Sequence, residues 1–255
     1  MTDSNSVSVP AEPGLHLTQL SQPKTENEKR RMQDIPYREA IGSLLFAARV
    51  SRPDIEYAVN QASQFIANYG RGHWEAVKRI LRYLKGTIDY GIVYGNSGSD
   101  RQLIGYTDAD YAGCTDTRKS TSGFIFLLNG GAVSWSSQKQ RVVALSTTEA
   151  EYIAVATGTK EAIWLRRMIS ELGYKSDKVA MYVDNQSAIK LTGNPEYHKR
   201  TKHIDVRFHF VRDVVESGEI DVAYVKTNEK LADIFTKPLT KQRFNYLVSK
   251  GGMSN

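Results

Sequence analysis

Asn129-Gly130-Gly131 stands between two apolar runs, Gly123 to Leu128 and Ala132 to Trp135. A tight hairpin demands positive φ at successive positions, which Asn and Gly tolerate and most residues resist. The two runs are therefore predicted to pair as antiparallel strands, with Gln102 to Asp108 as an earlier strand. From about Thr147 to Leu172 the pattern becomes helical, closing at Gly173 as a C-cap. Val179 to Val183 reads as a strand, followed by a short helix to about Leu191 and a helix over His203 to Glu216. Ile220 to Val225 reads as a strand, and Glu229 to Lys237 as a last helix before Pro238. This order specifies an α/β fold with a mixed five-stranded sheet flanked by helices.

The N-terminal part follows other periods. Residues 37–95 read as a small helical subdomain, in which Trp74, Val77, Leu81 and Leu84 share one face and Lys78, Arg79, Arg82 and Lys85 the other. Arg52-Pro53-Asp54 separates two earlier stripes, with Pro53 suited to a helix start. Residues 1–36 hold Pro10, Pro13, Pro23 and Pro36, lack a hydrophobic period and read as an extended arm or linker. Asn96 to Asp100 reads as a hinge, which leaves 101–252 as the main domain.

Composition narrows the chemistry. The single cysteine, Cys114, excludes an internal disulfide framework and a cysteine-based zinc site. With no run of about 18 apolar residues and a polar start, no membrane span or signal peptide is expected. That implies an intracellular protein, cytoplasmic or nuclear and not secreted. The net charge of +6 permits a polyanionic partner.

The acidic residues carry the sharper signal. Asp108 closes the first strand, Glu151 lies in the opening turns of the long helix, Asp184 ends the fourth strand and Asp233 sits on the last predicted helix. Four carboxylates so placed can converge on hard divalent cations, which prefer oxygen ligands. Each also has a plainer reading: Asp108 and Asp184 as turn or capping residues, Asp233 as a partner of Lys237 one turn on. Glu149 and Glu151 compete, and Ser146-x-x-Glu149 fits a capping box, which leaves Glu151 to face the sheet. Asp110 shares a strand face with Asp108 if the strand continues. Two carboxylates about 4 Å apart repel by roughly 4 kcal/mol at an effective dielectric of 20. Without offsetting cations, at least one such group is expected to have a raised pKa.

These segments resemble the ribonuclease H domain of copia-type long-terminal-repeat retrotransposon Pol polyproteins. The resemblance is carried by Tyr-Thr-Asp-Ala-Asp-Tyr-Ala-Gly (106–113), Arg-Lys-Ser-Thr-Ser-Gly (118–123), Ser-Thr-Thr-Glu-Ala-Glu-Tyr (146–152), Val-Asp-Asn-Gln-Ser-Ala (183–188) and Leu-Ala-Asp-Ile-Phe-Thr-Lys-Pro-Leu (231–239). Lys-Glu-Ala-Ile-Trp-Leu-Arg (160–166) and His-Lys-Arg-Thr-Lys-His-Ile-Asp (198–205) extend it. Residues 35–44, 51–55 and 81–87 are similar to the thumb or connection that follows the polymerase palm. The resemblance implies a ribonuclease H-like fold and hydrolysis of the RNA strand of RNA·DNA hybrids. It also implies two Mg²⁺ ions, with Mn²⁺ as a substitute, on the catalytic and metal-binding residues Asp108, Glu151, Asp184 and Asp233. The implied partners are the hybrid and the polymerase palm of the parent polyprotein, in a virus-like particle or the nucleus. Many ribonucleases H have a His-containing loop before the last carboxylate. Tyr224 to Glu229 has no His, which bears on turnover rather than on the reaction.

The segment His198 to Arg212 is basic, and Lys199, Arg200, Lys202 and Arg207 suit phosphate contacts that position a duplex; a solvated helix face is the plainer reading. A polymerase needs Tyr-x-Asp-Asp, which neither Tyr106-Thr107-Asp108-Ala109 nor Tyr182-Val183-Asp184-Asn185 supplies. A proofreading-type exonuclease would want Asp-x-Glu on the first strand, and an integrase would end its acid series in Glu. The remaining alternative is a catalytically silent nucleic-acid-binding remnant or co-opted fragment.

Overall fold

In the computed structural model, residues 1–255 are described except 2, 96–101, 175–177, 194–201 and 255. Four helices come first: α1 (Glu26–Gln33), α2 (Tyr37–Val50), α3 (Glu56–Ser63) and α4 (Arg71–Gly86). Helix α1 lies within the stretch read as an extended arm. It forms because Thr25 and Glu28 cap it reciprocally: the Glu28 N–H donates to Thr25 Oγ1 at 3.2 Å, and the Thr25 N–H donates to Glu28 Oε2 at 3.1 Å. The rest of the arm lies along α4. Arg79 pairs with Glu12 at 3.0 Å, while Arg82 and Lys85 donate to the carbonyls of Asn5 and Ser4 at 2.7 and 2.8 Å. The fully buried residues of α4 are His73, Val77, Ile80 and Tyr83, so its core face is rotated from the one the sequence suggests. Trp74, Leu81 and Leu84 are half-buried beside it, because arm and core together cover a wide arc of the helix.

A short strand β1 (Gly91–Ile92) precedes the main sheet, and the hinge expected at Asn96 to Asp100 lies outside the described residues. Strands β2 (Ile104–Asp110), β3 (Thr121–Leu128) and β4 (Gly131–Lys139) form an antiparallel meander. At the β3–β4 turn, Asn129 and Gly130 take φ of 54° and 81°, the positive values a hairpin of this length requires. Helix α5 (Thr147–Glu171) crosses the sheet, followed by β5 (Val179–Val183), α6 (Gln186–Gly193), α7 (Lys202–Glu216) and β6 (Ile220–Tyr224). Strand β5 runs parallel to β2 and β6 parallel to β5, which gives the order β4-β3-β2-β5-β6. This mixed five-stranded sheet flanked by helices is the ribonuclease H-like arrangement the motifs imply.

Both faces of β3 are buried, and its alternation sorts two cores. Phe124 and Phe126 pack with Ala162 and Leu165 of α5, while Ile125 and Leu127 pack with Tyr37, Ile41, Ile80 and Tyr83 of the helices. Hydrogen bonds cross the same boundary: Trp135 Nε1 donates to Ala48 O and Asn60 Nδ2 to Ser137 O, each at 2.8 Å.

The predicted last helix, Glu229 to Lys237, is instead two 3-10 turns, Thr227–Glu229 and Leu231–Phe235, with Lys230 extended between them at φ −74° and ψ 100°. Burial of every residue from Leu231 to Phe235 holds this geometry, since each must meet the sheet or the helices at once. A further helix, α8 (Lys241–Lys250), returns to the helical core, and β7 (Met253–Ser254) pairs with β1.

Candidate metal centre

The parallel pairing of β2 and β5 aligns Tyr106 with Tyr182. Two residues further along each strand, that register brings Asp108 and Asp184 side by side at the carboxyl ends, where open α/β sheets bind their ligands. Ser146 caps α5 through a 3.1 Å bond from the Glu149 N–H, and Glu149 Oε2 accepts from the Leu145 N–H at 2.9 Å. Glu149 is thereby engaged at the helix start, while Glu151 in the second turn is buried. Asn185 Oδ1 accepts from the Ala188 N–H at 3.0 Å, so Asn185 caps α6 and Asp184 does not. One carboxylate oxygen each from Asp108, Glu151 and Asp184 lies within 4.8 Å of the others.

Asp233 is buried on the adjacent 3-10 turn and is not part of that closest trio. Lys237 Nζ sits 2.9 Å from its Oδ1, the pairing the plainer reading expected, and Arg243 reaches its Oδ2 at 3.4 Å. Lys237 also lies 3.9 Å from Asp108, which ties the two carboxylates to one cation. Asp110 continues the strand beside them, and its carboxylate fills the space where Gly113 lacks a side chain; an added Cβ would come 1.6 Å from Asp110 Oδ2.

Lys230, missed by the sequence reading, is the decisive addition. Its side chain is fully buried, and its ammonium pairs with Asp108 and Asp184 and lies 3.2 Å from Glu151 Oε1. No sequence signal marks it, since lysine is almost always solvated. Thr236 Oγ1 donates to Asp108, and Thr227 Oγ1 donates to Asp184 Oδ2 at 3.1 Å.

Electrostatics follow from this arrangement. Burial alone would raise Asp108, but the ammoniums of Lys230 and then Lys237 hold it below the usual carboxylate range. Glu151 is pushed up, first by burial and then by the charge of Asp108. Asp233 and Asp110 are also raised, each by burial first and Asp108 second. Lys230 is raised: burial opposes its charge, and Asp108, Glu151 and Asp184 outweigh that.

The residues fit a hard divalent cation. Glu151 Oε2 is buried with no hydrogen-bond partner, and the other donors on offer are carboxylate oxygens.

No family model matches the chain. It is 47% identical over 253 residues, 99% of its length, to the retrovirus-related Pol polyprotein of transposon TNT 1-94 from Nicotiana tabacum. The corresponding protein of transposon RE2 from Arabidopsis thaliana is 44% identical over 218 residues, 85% of this chain. The chain matches one segment of the retrovirus-related Pol polyproteins of transposons. It spans 19% and 15% of the lengths of those two relatives, under a fifth of each. Among solved structures, LC11-RNase H1 in complex with an RNA/DNA hybrid aligns with a TM-score of 0.41 and 13% identity, covering 53% of this chain and 94% of that one.

Of the phosphate-contact residues suggested for this Pol segment, Lys199 and Arg200 lie outside the described residues, as does the Lys202 side chain. Arg207 is half-buried on α7, and its Nη1 has no hydrogen-bond partner. Among the described residues, no helix is long and apolar enough to cross a membrane.

Proposed function

We propose that this chain hydrolyses the RNA strand of RNA·DNA hybrids during retrotransposon reverse transcription, in a metal-dependent reaction. The observation that carries this reading is the convergence of Asp108, Glu151 and Asp184 from β2, α5 and the end of β5 on one buried point. Asp233 completes the acid set from the neighbouring turn. Two Mg²⁺ or Mn²⁺ ions held there supply Lewis-acid stabilisation of the charge that develops on the phosphate and the leaving oxygen. The chain's own groups build the site around that need. Thr236 and Thr227 fix the rotamers of Asp108 and Asp184, and Lys237 keeps Asp233 beside Asp108. Lys199, Arg200, Lys202 and Arg207 are assigned to the duplex phosphates, and the polymerase palm of the parent polyprotein to delivery of the hybrid. On this reading the protein works inside the cell, in a virus-like particle or the nucleus.

The test is incubation with a labelled RNA·DNA hybrid in Mg²⁺ or Mn²⁺. Cleavage is expected from the unmutated chain. It should fall by at least about a hundredfold in Asp108→Asn, with hybrid binding retained. Binding without cleavage by the unmutated chain would instead support a catalytically silent binding remnant. The observation favouring that second reading is the Lys230 ammonium, which already partly neutralises the acid cluster.

A further inference from the structure

An ammonium has three N–H donors, and Lys230 faces three acceptors: Asp108, Asp184 and Glu151 Oε1. The same three carboxylates form the group whose oxygens lie within 4.8 Å of one another. The cation and the best candidate ligands for a metal therefore share one volume. Lys230 is fully buried, so its charge has no solvent to turn to while those carboxylates surround it. Its backbone is the single extended joint between two 3-10 turns, at φ −74° and ψ 100°. Its flexible four-carbon stem is the part of the residue that would move if the ammonium left the cluster.

We infer that Lys230 is an internal counter-ion that holds Asp108, Glu151 and Asp184 together before metal arrives, and that a divalent cation binds by displacing its ammonium. The ammonium takes up an oxygen from each of the three carboxylates whose oxygens lie within 4.8 Å of one another, so an ion entering between those oxygens competes with it for the same volume and feels its charge. Lys230 is thus a positioning residue that sets how much free metal the site requires. The carboxylates are preorganised in the metal-free protein, at the cost of weaker metal affinity. The inference rests on the metal-centre reading above and goes beyond it, because the acid set alone would bind metal without competition.

The experiment compares the full chain with Lys230→Met by thermal melting in chelator and across a MgCl₂ titration, without nucleic acid. The unmutated chain should melt at nearly its full temperature in chelator and gain little from Mg²⁺. Lys230→Met should melt lower in chelator and gain more. Its half-maximal shift should come at about tenfold lower Mg²⁺ or less, since no ammonium has to leave. Equal or higher Mg²⁺ demand in Lys230→Met would overturn the inference while leaving the metal centre standing. If neither protein responds to Mg²⁺ or Mn²⁺, the metal centre itself fails and the inference falls with it.

Three carboxylates deprived of their shared ammonium can prevent Lys230→Met from folding in chelator, so the unmutated chain is also tested by amine acylation and peptide mass spectrometry. Lys230 should resist labelling in chelator and become reactive in saturating Mg²⁺, with exposed Lys226 as the constant reference. Mg²⁺ that stabilises the chain but leaves Lys230 unreactive would overturn the displacement.

Discussion

Gly123 lies on β3 directly under the turn that carries Asp233. A Cβ there would meet Phe235 Cβ at 2.7 Å, Thr236 Cγ2 at 2.8 Å and the Ala232 carbonyl oxygen at 3.2 Å. These atoms are close to or part of the backbone, so the turn itself would have to move, taking with it the Thr236 bond to Asp108. Gly123→Ala is expected to cost about 1–3 kcal/mol by urea denaturation and to raise the Mg²⁺ concentration needed for stabilisation. Gly42 makes the opposite case. It is exposed in the middle of α2, with nothing within 4 Å of an added Cβ, so Gly42→Ala should add about 0.5–1 kcal/mol. Equal effects from the two substitutions would show that the close approach at Gly123 has no role in placing the turn. At this scale the sequence reading put Glu149 at the helix start, where the structure has it, because a capping requirement is local. It missed Lys230, because what surrounds a lysine is decided by residues about 50 to 120 positions away in the chain.

Helix α4 is anchored at its start by His73. The Gly70 N–H donates to His73 Nδ1 at 2.9 Å, which leaves the ring proton on Nε2 to bond the Thr18 carbonyl at 3.0 Å. Phe65 stacks on the ring at 4.0 Å between centroids. Burial, opposed by the Thr18 carbonyl, keeps His73 below its ordinary value of 6.5. The unfolded chain therefore takes up this proton before the folded one does. Stability from His73 is full above about pH 6.5 and is lost as pH falls through the depressed folded value, when the ring can no longer accept from Gly70. Replacing it by Gln should destabilise the protein near pH 7. The stability gap between variant and unmutated chain should shrink between about pH 7 and about pH 5; a gap independent of pH would remove His73 from this role. The strands of the main sheet were readable from period and punctuation alone, as at Val179–Val183, where expectation and observation coincide, whereas α1 carried no such period. The last predicted helix was not readable either, because a stretch buried on all sides carries no stripe to tell α from 3-10.

The helices before the sheet share their core with one face of the sheet. Tyr37, Ile41, Ile80 and Tyr83 pack in one cluster with Ile125 and Leu127 of β3, Leu231 and Phe235 of the site turn, and Phe244 and Leu247 of α8. The β1–β7 pair closes the same unit from near the C-terminus. A single cooperative unfolding transition is therefore expected in calorimetry, with calorimetric and van't Hoff enthalpies in agreement. Two resolved transitions would mean that residues 37–95 fold as a unit of their own. The shared core also has a consequence for the metal centre. The turn bearing Lys230, Asp233 and Thr236 is clamped between the sheet and the helices, so its carboxylate is held by packing from both.

The linear chain alone determined the five strands of the main sheet, the helices α2 to α7, where the hairpin turns, and which acids stand at strand ends, because these follow from neighbours a few residues apart. It also carried the motifs by which the chain resembles a segment of transposon Pol polyproteins. Only the tertiary structure decided that the helical segment shares a core with the sheet, and that Asp233 sits beside the acid trio rather than within it. It alone seated Lys230 among the three carboxylates. The physical reason is that burial of a charge, and the partners that make it tolerable, depend on which distant segments are brought together, and nothing in local spacing records that.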